Sequence, residues 1–321
     1  MTKYNIIDNY NLQLFAENTQ TTVSSGLTDE MKVFYSDYLI DNATPKLVHD
    51  QFGQKHPIPK NGGKTIEFRK YSPLPKLLTP LTEGVTPDGQ SLTVTTIEAT
   101  VAQYGGYVTL SDMLLMTAID NNMVQATKLL GNQAGATLDT ITREVLNGGT
   151  NVVYAGGVAS RDALGDNKLT VDDIKKAVRA LKNQNAEKIG DSFVAIIHPD
   201  VTYDLTNDPT WQAVKDYDPK DWYEGEIGKI AGVRFVETTE AKIFEGGVYS
   251  TLILGENAYG VTEIEGGGLE HIVKQLGSAG TSDALNQRAT VGWKATKVAE
   301  RLVEQFMVRV ESKCTFEGAA N

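Results

Sequence analysis

Gly62-Gly63-Lys64-Thr65 is the first run whose residue types suit chemistry, since a glycine loop ending in Lys-Thr can cradle phosphate. A phosphate loop also needs a glycine five residues ahead of Gly63, with four residues between them, and Ile58 stands there. The run reads instead as a turn leading into a strand. Asp216, Asp218 and Asp221, beside Trp211 and Trp222, have the carboxylate oxygens that hard cations prefer. Their spacing does not match a calcium loop, so a solvated acidic loop is the expectation. Glu263 and Glu265 lie on one face of a strand, as paired acid–base carboxylates do, but the adjacent Gly266-Gly267-Gly268 points to a solvent-facing position. His49, His56, His198 and His271 are scattered, with no pair at a metal-binding helical spacing. His198-Pro199-Asp200 reads as a strand-to-helix corner. No serine elbow or cysteine–histidine pair is present. The expectation is therefore no catalytic residue, no cofactor-binding residue, no metal ligand and no enzyme.

The bulk properties narrow the class. The chain of 321 residues is 40% hydrophobic and 22% charged, enough apolar content for a sizeable core. A net charge of -11 argues against gripping nucleic acid through a dense lysine and arginine field. It leaves open a protein that encloses nucleic acid loosely. The single cysteine, Cys314, excludes a disulfide within the chain and points to a reducing compartment, or a particle assembled in one. Met1 to Gln20 lacks a basic start followed by an apolar stretch, so no secretory signal is expected. No apolar run reaches about 18 residues, so no membrane-spanning helix is expected.

The surrounding elements give the α+β class. Residues 1–27 read as a polar arm carrying Leu12, Leu14 and Phe15, and Thr28 to Asp50 as a helix interrupted near Pro45. Lys64 to Tyr71 alternates at period two, then Pro73, Pro75 and Pro80 mark an exposed extended arm. Thr86-Pro87-Asp88-Gly89 is a turn, and Ser91 to Thr109 is strand-rich with two mixed faces. From Ser111 the period switches. Leu115, Ile119, Met123, Ala126, Leu130, Ala134, Leu138, Ile141 and Val145 predict one uninterrupted helix of roughly ten turns, stopped by Gly148-Gly149. Asp120, Gln125, Lys128, Asn132, Asp139 and Arg143 would form its polar face. Beyond Lys168, helix and strand alternate: a capped helix from Thr170, strands at Ser192–Ile197, Val233–Val236 and Val248–Leu254, and a strand-rich stretch from Arg288 to Glu311.

This order of elements resembles the Hong Kong 97-type capsid fold. Four stretches are similar to the tailed-phage major capsid family named after an Enquatrovirus coliphage coat protein. They are Glu83-Gly-Val-Thr-Pro-Asp-Gly-Gln-Ser-Leu92, Gln103-Tyr-Gly-Gly-Tyr-Val-Thr-Leu-Ser-Asp112, Thr140-Ile-Thr-Arg-Glu-Val-Leu-Asn-Gly-Gly-Thr-Asn151 and Asp283-Ala-Leu-Asn-Gln-Arg-Ala-Thr-Val-Gly-Trp-Lys294. The family pattern commonly has proline and glycine where this chain has Ala284 and Ala289.

The resemblance implies an N-terminal arm (1–27), an N-terminal helix region (28–62), an extended hairpin loop (63–109), a peripheral domain with a long spine helix (110–167), an α/β axial domain (168–286) and C-terminal strands returning to the peripheral domain (287–321). It implies a shell subunit of the virion, assembled in the host cytoplasm into pentamers and hexamers around double-stranded DNA that is held only loosely. Scaffold, portal and decoration proteins are the further partners, and no membrane is involved. Lys64, Glu67, Arg69, Lys70, Pro87 and Asp88 of the hairpin, with Leu14 and Phe15 of the arm, are the expected intersubunit contacts. Two alternatives remain at this point: an encapsulin-like nanocompartment shell, and a soluble α/β enzyme with an unrecognised site.

Overall fold

The computed structural model describes residues 19–20 and 48–321, apart from 72–73, 82, 85, 87, 119–121, 216–227, 266–267 and 279–282. Most of the expected arm and first helix, and the acidic loop at 216–221, lie outside the described residues. The chain runs through β1 (Thr19–Gln20), β2 (Gln54–Lys55), β3 (Thr65–Tyr71), β4 (Val94–Thr100), β5 (Ala102–Ser111), α1 (Asp112–Thr117) and α2 (Asn122–Asn147). It continues through β6 (Val152–Tyr154), α3 (Val171–Asn183), β7 (Phe193–Ile197), α4 (Pro199–Thr206) and α5 (Pro209–Lys215). The remainder is β8 (Lys229–Ile230), β9 (Val233–Glu237), β10 (Ile243–Phe244), β11 (Val248–Leu254), β12 (Tyr259–Thr262), β13 (Glu270–Lys274), β14 (Arg288–Arg301) and β15 (Met307–Ser312).

Two compact units result. The larger comprises residues 45–103, 135–268 and 296–321. Its main sheet has the order β6-β15-β11-β7-β9-β8, with β10 also paired to β11. β7 and β11 are buried along their whole lengths, which accounts for their continuous apolar runs. α3 covers this sheet with Ile174, Ala177, Val178 and Leu181, a stripe at helical spacing. Its start is fixed as expected: Asp173 N–H donates to Thr170 Oγ1 at 3.3 Å. The Thr170 hydroxyl donates in turn to Asp173 Oδ2 at 2.7 Å, so the short Asp serves the hydroxyl where a Glu would reach the backbone. α4 begins at the predicted corner, with Pro199 at its first turn and Asp200 N–H donating to His198 Nδ1 at 3.2 Å. Burial lowers the His198 pKa against the opposing pull of Asp200, which suits a neutral, accepting ring.

The smaller unit comprises residues 104–134 and 269–295 with β1. Here β5 lies between β1 and β14, and β13 pairs antiparallel with β14. A Cβ on Gly105 would sit 2.7 Å from Trp293 O, so this glycine permits the close approach of two strands. Ser111 caps α1, its hydroxyl accepting from Leu114 N–H at 3.2 Å.

The uninterrupted helix expected from Ser111 is corrected. α1 ends at Thr117, where Ala118 turns to an extended conformation (φ -71°, ψ 137°), and α2 begins at Asn122. The sequence Asp120-Asn121-Asn122 agrees with the end of α1, because these residue types favour turns and caps over helix interiors. α2 still runs 26 residues, about 39 Å at 1.5 Å per residue. Among the described residues, no helix is long and apolar enough to cross a membrane.

Candidate intersubunit surface

β3 and β4 form a two-stranded antiparallel ribbon, in unbroken register from Thr65↔Thr100 to Tyr71↔Val94. Gly62 N–H donates to Pro59 O in the turn before β3, and Val101 N–H closes the base on Lys64 O at 2.8 Å. The Gly-Gly-Lys-Thr run is thus a turn into a strand. Near the base one ribbon face is apolar: Ile66 and Phe68 oppose Ala99 and Ile97. The Phe68 ring rests on β12, where a Cβ on Gly260 would lie 3.0 Å from Phe68 Cζ. Beyond Phe68 and Ile97 both faces are exposed. The two mixed faces expected from sequence are therefore confined to the outer part of the ribbon.

The tip connects β3 to β4 through a proline-rich segment carrying Leu77, Leu78 and Leu81, which are 77%, 85% and 76% exposed. Isolated exposed leucines are ordinary, but three such leucines within five residues form a local apolar patch. At the ribbon base lies a cavity of about 470 Å³, lined by Ile66, Phe68, Ile97, Leu302 and Val303 with His56, Arg69 and Lys70. Of the predicted contact residues, Lys64, Glu67, Arg69, Lys70 and Asp88 are all exposed on the hairpin. Arg69 Nη2 lies 3.5 Å from Glu67 Oε2, and Glu67 stands opposite Glu98 across the ribbon. Pro87, Leu14 and Phe15 lie outside the described residues.

Buried polar contacts hold the segment ahead of the hairpin, at residues 48–50. Asp139 of α2 accepts from the Val48 and His49 backbone N–H groups at 3.0 and 2.8 Å, and its other oxygen meets His49 Nδ1 at 2.6 Å. Asp50 accepts from the Thr142 hydroxyl at 2.5 Å and pairs with Lys297 Nζ, which also donates to Leu138 O at 2.7 Å. The Tyr259 hydroxyl donates to His49 O, and its burial, followed by the nearby Asp50 and Asp139 charges, raises its pKa. Burial pulls the Lys297 pKa down, opposed by Asp50. Asp139 and Arg143, expected on the polar face of the helix, are both buried. Arg143 donates to Glu240 O at 3.0 Å and pairs with Glu144 at 2.8 Å.

The C-terminal end of α2 is held by arginines from the last two strands. Arg301 donates to Val145 O at 2.7 Å, while Arg309 donates to Asn147 O and, at 3.1 Å, to Gly149 O. These cations satisfy carbonyls that a helix end leaves open, where the macrodipole also favours positive charge. A Cβ on Gly148 would lie 2.7 Å from Arg301 Nη1, so a side chain there would displace this guanidinium. Arg309 is oriented by the fully buried Glu311, which also receives a two-pronged contact from Arg161 at 2.7 Å. Among the described residues, no three or more His, Cys, Asp or Glu side chains are placed to hold a metal. Glu263 and Glu265 are exposed, as expected.

The fold of this chain has counterparts among known proteins. A search of curated proteins found no match. Solved structures match across nearly the whole chain. The capsid structure of cyanophage P-SCSP1u is 12% identical, with 93% of this chain and 98% of that chain covered at a TM-score of 0.69. The capsid of Ralstonia phage GP4 is 14% identical, with 94% and 100% covered at a TM-score of 0.67. The capsid asymmetric unit of cyanophage Pam1 is 16% identical, with 89% and 95% covered at a TM-score of 0.65. At these identities the likeness establishes the fold, an α+β fold resembling Hong Kong 97-type capsid folds. The family profile described as phage capsid protein matches residues 94–301, from the return strand of the hairpin through β14. Because that match covers well over half of the sequence, the chain belongs to the phage capsid protein family.

Proposed function

We propose that this protein is the major shell subunit of a tailed-bacteriophage head, assembling as pentamers and hexamers into an icosahedral container for double-stranded DNA. The carrying observation is the ribbon tip, where Leu77, Leu78 and Leu81 lie open to water in the segment that joins the two strands of the ribbon. A two-stranded ribbon is marginal alone and gains stability by being laid on a partner. In the shell, the hairpin clasps a neighbouring subunit through Lys64, Glu67, Arg69, Lys70, Pro87 and Asp88, and Leu14 and Phe15 of the arm make a second contact. α2 serves as the spine of the peripheral domain, the region 168–286 is the axial domain, and residues 287–321 return to the peripheral domain. The four motif stretches favour the Enquatrovirus-type branch of the family. A net charge of -11 suits a lining that holds the genome loosely. Scaffold, portal and decoration proteins are the expected additional partners.

Sedimentation and cryo-electron microscopy of the purified full-length chain test this reading. Closed shells or capsomer rings are expected. A well-folded, strictly monomeric species whose hairpin resists proteolysis would overturn it.

A further inference from the structure

The dipeptide Asn-Gly occurs twice in the chain, at Asn61-Gly62 and at Asn147-Gly148. It is chemically labile, because glycine has no side chain to shield its backbone nitrogen from the amide of the preceding asparagine. The fold gives the two copies opposite surroundings. Asn61 stands in the turn ahead of β3, where Asn61, Gly62 and Gly63 are all exposed. Its side chain makes no hydrogen bond among the described residues. Asn147, at the end of α2, is buried, and both ends of its amide are held. Its Nδ2 donates to Arg143 O at 2.8 Å, and its Oδ1 accepts from the Ser250 hydroxyl at 2.5 Å. The N–H of Gly148 is shared between Glu144 O at 3.0 Å and Val145 O at 3.3 Å.

Asn61 also differs from asparagines that share its backbone conformation. Asn185, Asn257 and Asn286 have positive φ as Asn61 does, but Ala186, Ala258 and Gln287 follow them, and a Cβ crowds the nitrogen next in the chain. Gly62 N–H donates to Pro59 O at 2.9 Å. A single bond of this kind in an exposed turn opens locally at little cost, whereas the helix end around Asn147 does not. Gly63 (φ 92°) has open space around it, which leaves the turn free to rotate.

We propose that Asn61 is a site of spontaneous deamidation through a cyclic imide, and that the fold protects Asn147 from the same reaction. The Gly62 backbone nitrogen gives its proton to solvent and attacks Asn61 Cγ. The Cγ–Nδ2 bond breaks, ammonia leaves and the imide ring closes. Water then opens the ring. Opening at the side-chain carbonyl gives aspartate, and opening at the backbone carbonyl gives isoaspartate, with the chain running through Cβ. No electrons are exchanged, and water is the co-reactant. Either product adds a negative charge between Lys60 and Lys64, and isoaspartate lengthens the turn before β3 by one backbone atom.

Incubating the folded, full-length chain in mildly alkaline buffer and mapping its peptides by mass spectrometry tests the assignment. A glutamate-specific protease keeps Asn61 in a peptide that ends at Glu67. The mass gain of an amide-to-acid exchange should accumulate at Asn61 and be absent at Asn147. In water enriched in heavy oxygen, the Asn61 peptide should also take up the label, and an isoaspartyl methyltransferase should detect part of the product. Gly62→Ala should suppress the gain, while urea-unfolded chain should react at both asparagines. No gain at Asn61 in the folded chain overturns the proposal. Equal gain at both sites in the folded chain overturns the protection of Asn147. A gain that continues at the unmodified chain's rate in Gly62→Ala, or that brings in no heavy oxygen, overturns the imide route.

Discussion

Replacing Lys297 with methionine isolates the buried ion pair that holds Asp50, in the segment ahead of the hairpin. The Lys297 side chain is 6% exposed and its partner Asp50 is 21% exposed, so the lost pair is not one that water can replace. Methionine keeps most of the aliphatic stem and its packing but removes the charge. Breaking a buried pair from one side typically costs about 3–5 kcal/mol, because the remaining charge stays buried. Here Asp50 keeps the Thr142 hydroxyl as a donor, and Leu138 O loses a neighbouring cation but remains an ordinary helix carbonyl. The expected loss is therefore about 3 kcal/mol, near the lower end, or roughly a hundredfold in the folded-to-unfolded ratio. Asp50→Asn added to Lys297→Met should recover most of it, because both ends of the pair then become neutral. The assay is urea unfolding of unassembled subunits, with all four members of the cycle compared for midpoint at constant slope. If Lys297→Met alone shifts stability by less than about 0.5 kcal/mol, or if the double variant is no better than the single one, the pair is not the anchor described.

Three further outcomes follow from other parts of the molecule. Leu78→Asp should leave the stability of the free subunit within about 0.5 kcal/mol, since the side chain is already exposed, yet eliminate particles in sedimentation. Gly148→Ala should destabilise the subunit by about 1–2 kcal/mol on urea unfolding, because the new methyl displaces the Arg301 cap of α2. Glu304 has its pKa held down by the Thr150 backbone N–H, then the Thr150 hydroxyl, with Arg301 assisting. A depressed carboxylate contributes stability above its unfolded pKa and loses it as pH falls through the folded value. Glu304→Gln should therefore flatten the acidic side of the stability profile, and an unchanged acid limb would refute that role.

Legibility from sequence followed the range of the interactions. α3, its cap, the His198 corner and strands β7, β9 and β11 rest on local spacing, and they lie where periodicity put them. The hairpin was legible for the same reason: alternation, prolines and a turn are all short-range signals. The break between α1 and α2 was missed because the apolar stripe continues across it, while Asp120-Asn121-Asn122 carries the opposing preference. Asp139 and Arg143 were misjudged for a different reason. Period 3.6 identifies which residues share a helix face but not what approaches that face. Their partners, Val48 and His49 for one and Glu240 for the other, are distant in sequence. Lys297 carries one signal in the sequence: a lysine on the same strand face as Ala295 and Ala299 is set among buried neighbours and must find a carboxylate.

The concentration of buried charge around the hairpin base has a mechanical consequence. Buried ion pairs add little net stability compared with apolar packing, but they are intolerant of displacement. His49 on Asp139, Lys297 on Asp50 and Tyr259 on the His49 carbonyl therefore fix the chain entering the hairpin in one position. Phe68 against Gly260 and the Val101–Lys64 bond fix the ribbon's own root. Among the described residues, the outer ribbon has no comparable restraint. A rigid root with an uncovered tip lowers the ordering cost when the tip meets its partner, because only the tip must still be ordered. The polar anchors are thus better understood as pre-organising an assembly contact than as stabilising the subunit. Lys297→Met should therefore reduce the rate or yield of particle formation even in buffers where the variant subunit remains fully folded.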